Sequence, residues 1–105
     1  MARFDVYANS SRHAKTTPWL LDVQSDLLDE LDSRVVIPLR HLADFAHLDL
    51  PRRLMPILLV SGQEFLLETP KLAAVPRRLL QHPAESLTHE RDRILAALDF
   101  LFQGY

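Results

Sequence analysis

Residues 54–68, LMPILLVSGQEFLLE, decide how this chain folds. Two apolar runs, Ile57 to Val60 and Phe65 to Leu67, flank Ser61 and Gly62. Short apolar runs divided by a glycine-bearing break predict a β-hairpin, because glycine takes the positive φ that a tight reversal needs. The expected turn is a type I turn with a bulge. The first run has no polar residue, which predicts a strand buried on both faces.

Working upstream, RVVIPL (34–39) is a β-branched run closed by Pro38, and WLLDV (19–23) reads as another strand. RFDVYA (3–8) alternates, with Phe4 and Val6 on one face and Asp5 and Tyr7 on the other. SSRHAKTTP (10–18) is a polar loop. SDLLDEL (25–31) is ambiguous between strand and helix, since its leucines also fit one helical turn, and RHLADFAHL (40–48) fits one or two. Downstream, LAAV (72–75) predicts a strand and RRLLQ (77–81) a helical turn, between Pro70, Pro76 and Pro83.

The last element reads as an amphipathic helix. Thr88 is the expected N-cap, with Glu90 and Asp92 in the first turn, where the macrodipole favours acids. Ile94, Leu98 and Leu101 form an apolar stripe that Leu95 and Phe102 extend, opposite Asp92, Ala96, Asp99 and Gln103. Gly104 is the expected αL residue after the helix, which puts Tyr105 against Phe100 in a Schellman motif. The fold class is therefore mainly β: a bent antiparallel sheet or small barrel with a C-terminal α-helix.

The 105 residues predict a single domain, 1–105, and the 48% hydrophobic fraction predicts a packed core. No cysteine is present, which excludes disulfides and thiolate metal sites and agrees with a cytoplasmic setting. No apolar run has the length of a signal peptide or a membrane span. The formal net charge of −2 argues against a broad electrostatic grip on nucleic acid.

Residues with chemistry are present but are not arranged for it. His13, His41, His47, His82 and His89 have no i, i+4 pairing and read as surface or cap residues. The acidic run from Asp22 to Asp32 lacks calcium-loop spacing and reads as a solvated loop. Ser25 and Asp26 read as turn-closing caps. Arg52, Arg53, Arg77 and Arg78 read as solvated, and Trp19 as core or dimer surface. No catalytic residue, metal site or cofactor is expected.

Six blocks, in order, carry a resemblance across almost the whole chain: RFDVY (3–7), LDVQSDLLD (21–29), VVIPL (35–39), LMPILLVSGQEF (54–65), LAAVP (72–76) and LTHERDRILAALDFLFQG (87–104). The sequence resembles the CcdB family, plasmid-maintenance toxins of toxin–antitoxin modules that poison DNA gyrase. The resemblance implies an SH3-like barrel with a smaller appended sheet and a C-terminal helix, assembled as a two-fold homodimer. It implies a binding protein and not an enzyme, which contacts the gyrase A subunit and traps cleaved DNA.

Carried over by position, the family's Trp-Gly-Ile gyrase contact falls on Gln103, Gly104 and Tyr105; the tryptophan is replaced by glutamine. Leu27, Leu28, Asp92 and Asp99 occupy positions similar to those lining the same surface. A CcdA-like antitoxin is the second implied partner. Its path is expected over Arg12, Lys15, Glu68, Thr69 and Lys71. The rival readings are a CcdB-like protein that dimerises and binds antitoxin without poisoning gyrase, and an endoribonuclease of the MazF type, which shares the fold.

Overall fold

A computed structural model describes residues 2–45 and 48–105. Seven strands follow in chain order: β1 (Asp5–Ala8), β2 (Trp19–Asp22), β3 (Ser33–His41), β4 (Ile57–Val60), β5 (Gln63–Leu67), β6 (Ala73–Pro76) and β7 (Pro83–Ser86). Helix α1 (Arg91–Gln103) comes last. Short 3-10 turns cover Asp26–Leu28, Leu42–Phe45, Thr69–Lys71, Arg77–Leu79 and Thr88–Glu90. Ala46 and His47, within the turn predicted over 40–48, lie outside the described residues.

Every strand pairing is antiparallel, in the order β4-β5-β3-β2-β1-β7, with β6 also on β3. The long strand β3 explains the shape. Residues 33–36 pair with β6 and residues 39–41 pair with β5, along the same edge. Pro38 sits where the partner changes, so its missing N–H leaves no gap in a ladder, while its C=O accepts from the Glu68 N–H at 2.9 Å. β6 with the first half of β3 makes the small appended sheet.

The two ends of the strand order are tied together by side chains. Glu85 of β7 accepts from the Ser61 N–H at the β4–β5 turn, at 2.7 Å. Arg93 of α1 donates to the Ile57 C=O of β4 at 2.8 Å. The sheet is thus curled into a partial barrel with α1 against it, as the mainly β reading predicts.

The interior contains Val6, Leu21, Ile37, Leu39, Leu58, Phe65 and Leu67, with Ile94 contributed by α1. Each such side chain contributes about 1.5–3 kcal/mol by leaving water. Tyr7, Leu20, Val36 and Leu80 form a second cluster on the other face of the sheet. Trp19 packs at the margin of the main core.

The hairpin of residues 54–68 forms, with two corrections. Ser61 (φ 53°) and Gly62 (φ 77°) are both left-handed, which makes a two-residue type I′ turn without a bulge. β4 is an edge strand, so Leu59 is exposed while Leu58 and Val60 face inward. β7 is a strand that the sequence reading missed; its leading Pro83 fits an edge position.

Helix α1 also differs in detail. A 3-10 turn precedes it, and the Thr88 hydroxyl bonds Ser86 Oγ at 2.8 Å, so Thr88 does not cap α1. Ala97 joins Ile94 as fully buried, whereas Phe102 is exposed and does not extend the core stripe. None of the described helices is long and apolar enough to cross a membrane.

Candidate functional site

Gly104 takes φ 80° and donates its N–H to the Phe100 C=O at 2.9 Å. This single bond is the simple αL cap and not the Schellman motif. Tyr105, expected against Phe100, is 75% exposed, and Phe102 is 71% exposed. The Phe100 ring instead lies under the Arg53 guanidinium, 5.0 Å from its centroid. Gln103 is exposed as well. The helix tip thus presents two uncovered aromatics around a glutamine.

Asp92 and Asp99 are exposed along α1, on the face they share with Ala96 and Gln103. This face carries two acids and no base. It is the only element of the site that runs the length of the helix.

The loop from Ser25 to Asp32 presents the next pair. Leu27 is 94% exposed and Leu28 about half exposed. With Leu31 also about half exposed, three leucines of one loop are uncovered together, and it is such grouping, not a single exposed leucine, that marks a contact surface. The loop is not slack. Ser25 Oγ accepts from the Leu27 N–H at 3.2 Å, as a cap, and Asp26 Oδ1 accepts from the Arg3 N–H at 2.8 Å. Gln24, itself buried, donates through Nε2 to the carbonyls of Leu28 (3.2 Å) and Ser33 (3.3 Å) and accepts from the Val35 N–H (3.0 Å).

Beneath the loop lies a buried ion pair. Arg34 and Asp22 are both fully buried; Arg34 Nε donates to Asp22 Oδ2 at 2.9 Å and Nη2 lies 2.8 Å from the same oxygen. Arg34 also donates to the Gln24 C=O at 3.2 Å and to Asp29 Oδ1 at 3.3 Å. Burial pushes the Asp22 carboxyl above its ordinary range, against the lowering pull of Arg34 and of the Gln24 N–H. The acidic run is therefore not simply a solvated loop: Asp22 is interior and Asp29 is shared between cations. Arg77 is not simply solvated either, since it bonds the Asp29 C=O and lies 3.5 Å from Asp29 Oδ1.

The seven residues expected to meet one partner do not form a single patch within one chain. Leu27 borders a groove with Arg3, Thr88 and Arg91, at the N-terminal end of α1, close to Asp92 in sequence. Gln103, Gly104 and Tyr105 are at the other end. A helix of 13 residues is about 20 Å long, and the acidic face with Asp99 spans that interval.

The second set is brought together more closely. Glu68 and Lys71 line a groove of about 500 Å³ with His13, Leu20, Pro38 and Leu79. Arg12 and Lys15 are exposed on the loop that carries His13. Arg40 lies 3.6 Å from Glu68, so Lys71, Arg12 and Lys15 are the cations without an ion pair among the described residues there. Thr69, unlike the other four, is fully buried, in the turn that follows β5, with its hydroxyl 3.5 Å from the Leu67 C=O.

Sequence reasoning missed Arg34, Gln24 and Arg77. The signal was Asp22, an acid inside an apolar strand run, which requires a buried cation from elsewhere in the chain. No group of three or more His, Asp or Glu residues suited to a metal occurs among the described residues. The family model described as CcdB protein matches residues 3–104 of the chain.

Proposed function

The chain belongs to the CcdB family of toxin–antitoxin gyrase poisons, and on that premise we propose that it binds the gyrase A subunit and stabilises the complex in which DNA is cleaved. The contact runs over Gln103, Gly104 and Tyr105 at the tip of α1, along Asp99 and Asp92, to Leu27 and Leu28. Two copies related by a two-fold axis supply the surface. The observation that carries this reading is the pair of uncovered aromatics at the tip of α1, Tyr105 at 75% and Phe102 at 71% exposed beside the αL cap at Gly104.

The protein performs no bond chemistry in this mechanism. A binder shifts an equilibrium only by its differential affinity for one state, so the toxin must hold the cleaved complex more tightly than the religated one. Tyr105 and Phe102 supply the uncovered aromatic area that interface anchors use. They act in place of the family's tryptophan, which is glutamine at 103.

A CcdA-like antitoxin, with an extended acidic tail, is the second partner. Arg12, Lys15 and Lys71 supply unpaired positive charge around the groove that includes Glu68. The test is a binding titration of purified gyrase A subunit with the full chain and with the chain lacking residues 103–105. We expect at least about a thirtyfold loss on truncation, the size of one aromatic anchor. Equal affinities would remove the helix tip from the interface.

A further inference from the structure

The apolar tip of the 25–32 loop is held from two sides. From inside, Arg34 reaches Asp29 Oδ1 at 3.3 Å and lies 3.7 Å from Asp26 Oδ1. From outside, Arg77 bonds the Asp29 C=O, lies 3.5 Å from Asp29 Oδ1, and donates its backbone N–H to the Asp32 C=O at 3.0 Å. Arg34 is fully buried on β3, but Arg77 is partly exposed and stands 48 residues from Asp29, on the turn that follows β6.

The two arginines therefore differ in what they do. Arg34 answers a buried carboxylate and belongs to the core. A partly exposed pair such as Arg77–Asp29 contributes little to stability. Yet it fixes Asp29, whose own N–H donates to the Asp26 C=O at 3.2 Å and so closes the turn that carries Leu27 and Leu28. Arg77 makes no hydrogen bond to Leu27 or Leu28 themselves.

We infer that Arg77 is a positioning residue, acting through Asp29 to hold Leu27 and Leu28 in the conformation that meets the partner protein. The inference rests on the gyrase reading given above for its binding consequence, and on the clasp alone for its structural one. Immobilising the loop before encounter removes an ordering cost from association.

Two measurements test it. In the first, the gyrase A subunit is titrated with Arg77→Ala, Arg77→Lys, Leu27→Ala and the Arg77→Ala/Leu27→Ala pair. Arg77→Ala should weaken binding about tenfold with an unchanged melting temperature, and Arg77→Lys should recover part of it. The double variant should lose less than the two single losses combined, because with the Leu27 side chain gone Arg77 has only Leu28 left to position. Fully additive losses, or an undiminished complex with Leu27→Ala, would overturn the inference while leaving gyrase as the partner.

The second measurement needs no partner. Amide exchange at Leu28 and Leu31, which donate to Ser25 and Leu28 carbonyls, should speed about tenfold in Arg77→Ala, while β2 and β3 stay protected. Unchanged exchange there would overturn the clasp. If gyrase does not bind the unaltered protein, the functional reading fails, and this exchange experiment still decides whether Arg77 holds the loop.

Discussion

At the scale of single residues, Tyr7 shows how function and stability are separable here. Its ring is buried in the second cluster and its hydroxyl has no hydrogen-bond partner among the described residues. Burial first, then the nearby Asp5 and Asp22 carboxylates, raises its pKa above 10.0. A raised value means that the folded state keeps a proton that the unfolded chain releases. That contribution is complete below pH 10 and is lost as pH rises through the folded value. Tyr7→Phe should therefore stabilise the protein by about 1 kcal/mol at neutral pH, by removing an unsatisfied group. Its advantage should widen above pH 10, in urea melts of both proteins. The opposite holds for Arg34. Asp22→Ala leaves that guanidinium buried without its main partner and should cost about 3–5 kcal/mol in the same melts. Asp22 inside an apolar run signals a buried cation, but which cation was not legible, because Arg34 reads as one cation before an apolar run. Only the fold brings β2 and β3 side by side and places the 25–32 loop above them. Ser25 was legible, since a hydroxyl two residues before a backbone N–H acts locally.

At the scale of elements, the hairpin and the terminal helix were readable because their signals are local. Ser61-Gly62 between apolar runs requires a reversal, and Gly104 after a helical stripe requires an αL cap. The faces were less readable. Leu59 is exposed because β4 ends the strand order, and strand order is not written in a run of leucines and valines. Thr88 looked like a cap, yet the 3-10 turn moved the helix start to Arg91. These details govern what truncation will do. Ile94 is fully buried beneath α1, so Ile94→Ala should cost about 2–5 kcal/mol in thermal melts. Removing Gln103, Gly104 and Tyr105 removes only exposed residues and a cap, and should cost about 1 kcal/mol. Gly104→Ala, at φ 80°, should cost a similar amount, because a side chain there is strained whatever the surrounding space. Gln103→Trp should strengthen the gyrase complex by restoring the family's anchor. A weaker complex would mean that Tyr105 approaches the partner from a direction that a tryptophan blocks.

At the scale of the whole molecule, six blocks of sequence in order and the curled sheet agree on family. The candidate site was legible only through that resemblance. Nothing in charge or periodicity alone points to residues at both ends of α1. The family resemblance and the exposed apolar side chains of the terminal helix are the reason to expect a two-fold dimer. Light scattering should give twice the 12.1 kDa chain mass. Mixed single-stranded RNA should survive incubation with the protein, since the chain's net charge is −2 and its arginines are spread over loops, β3, the 3-10 turns and α1. The most direct measurement is a gyrase cleavage assay: supercoiled plasmid, purified gyrase and ATP, with rising amounts of the full chain or of the chain lacking residues 103–105, stopped with detergent and protease. The account predicts that linear DNA accumulates with the full chain and not with the shortened one. Linear DNA that stays at its toxin-free level across the titration, or rises equally with both proteins, would contradict it.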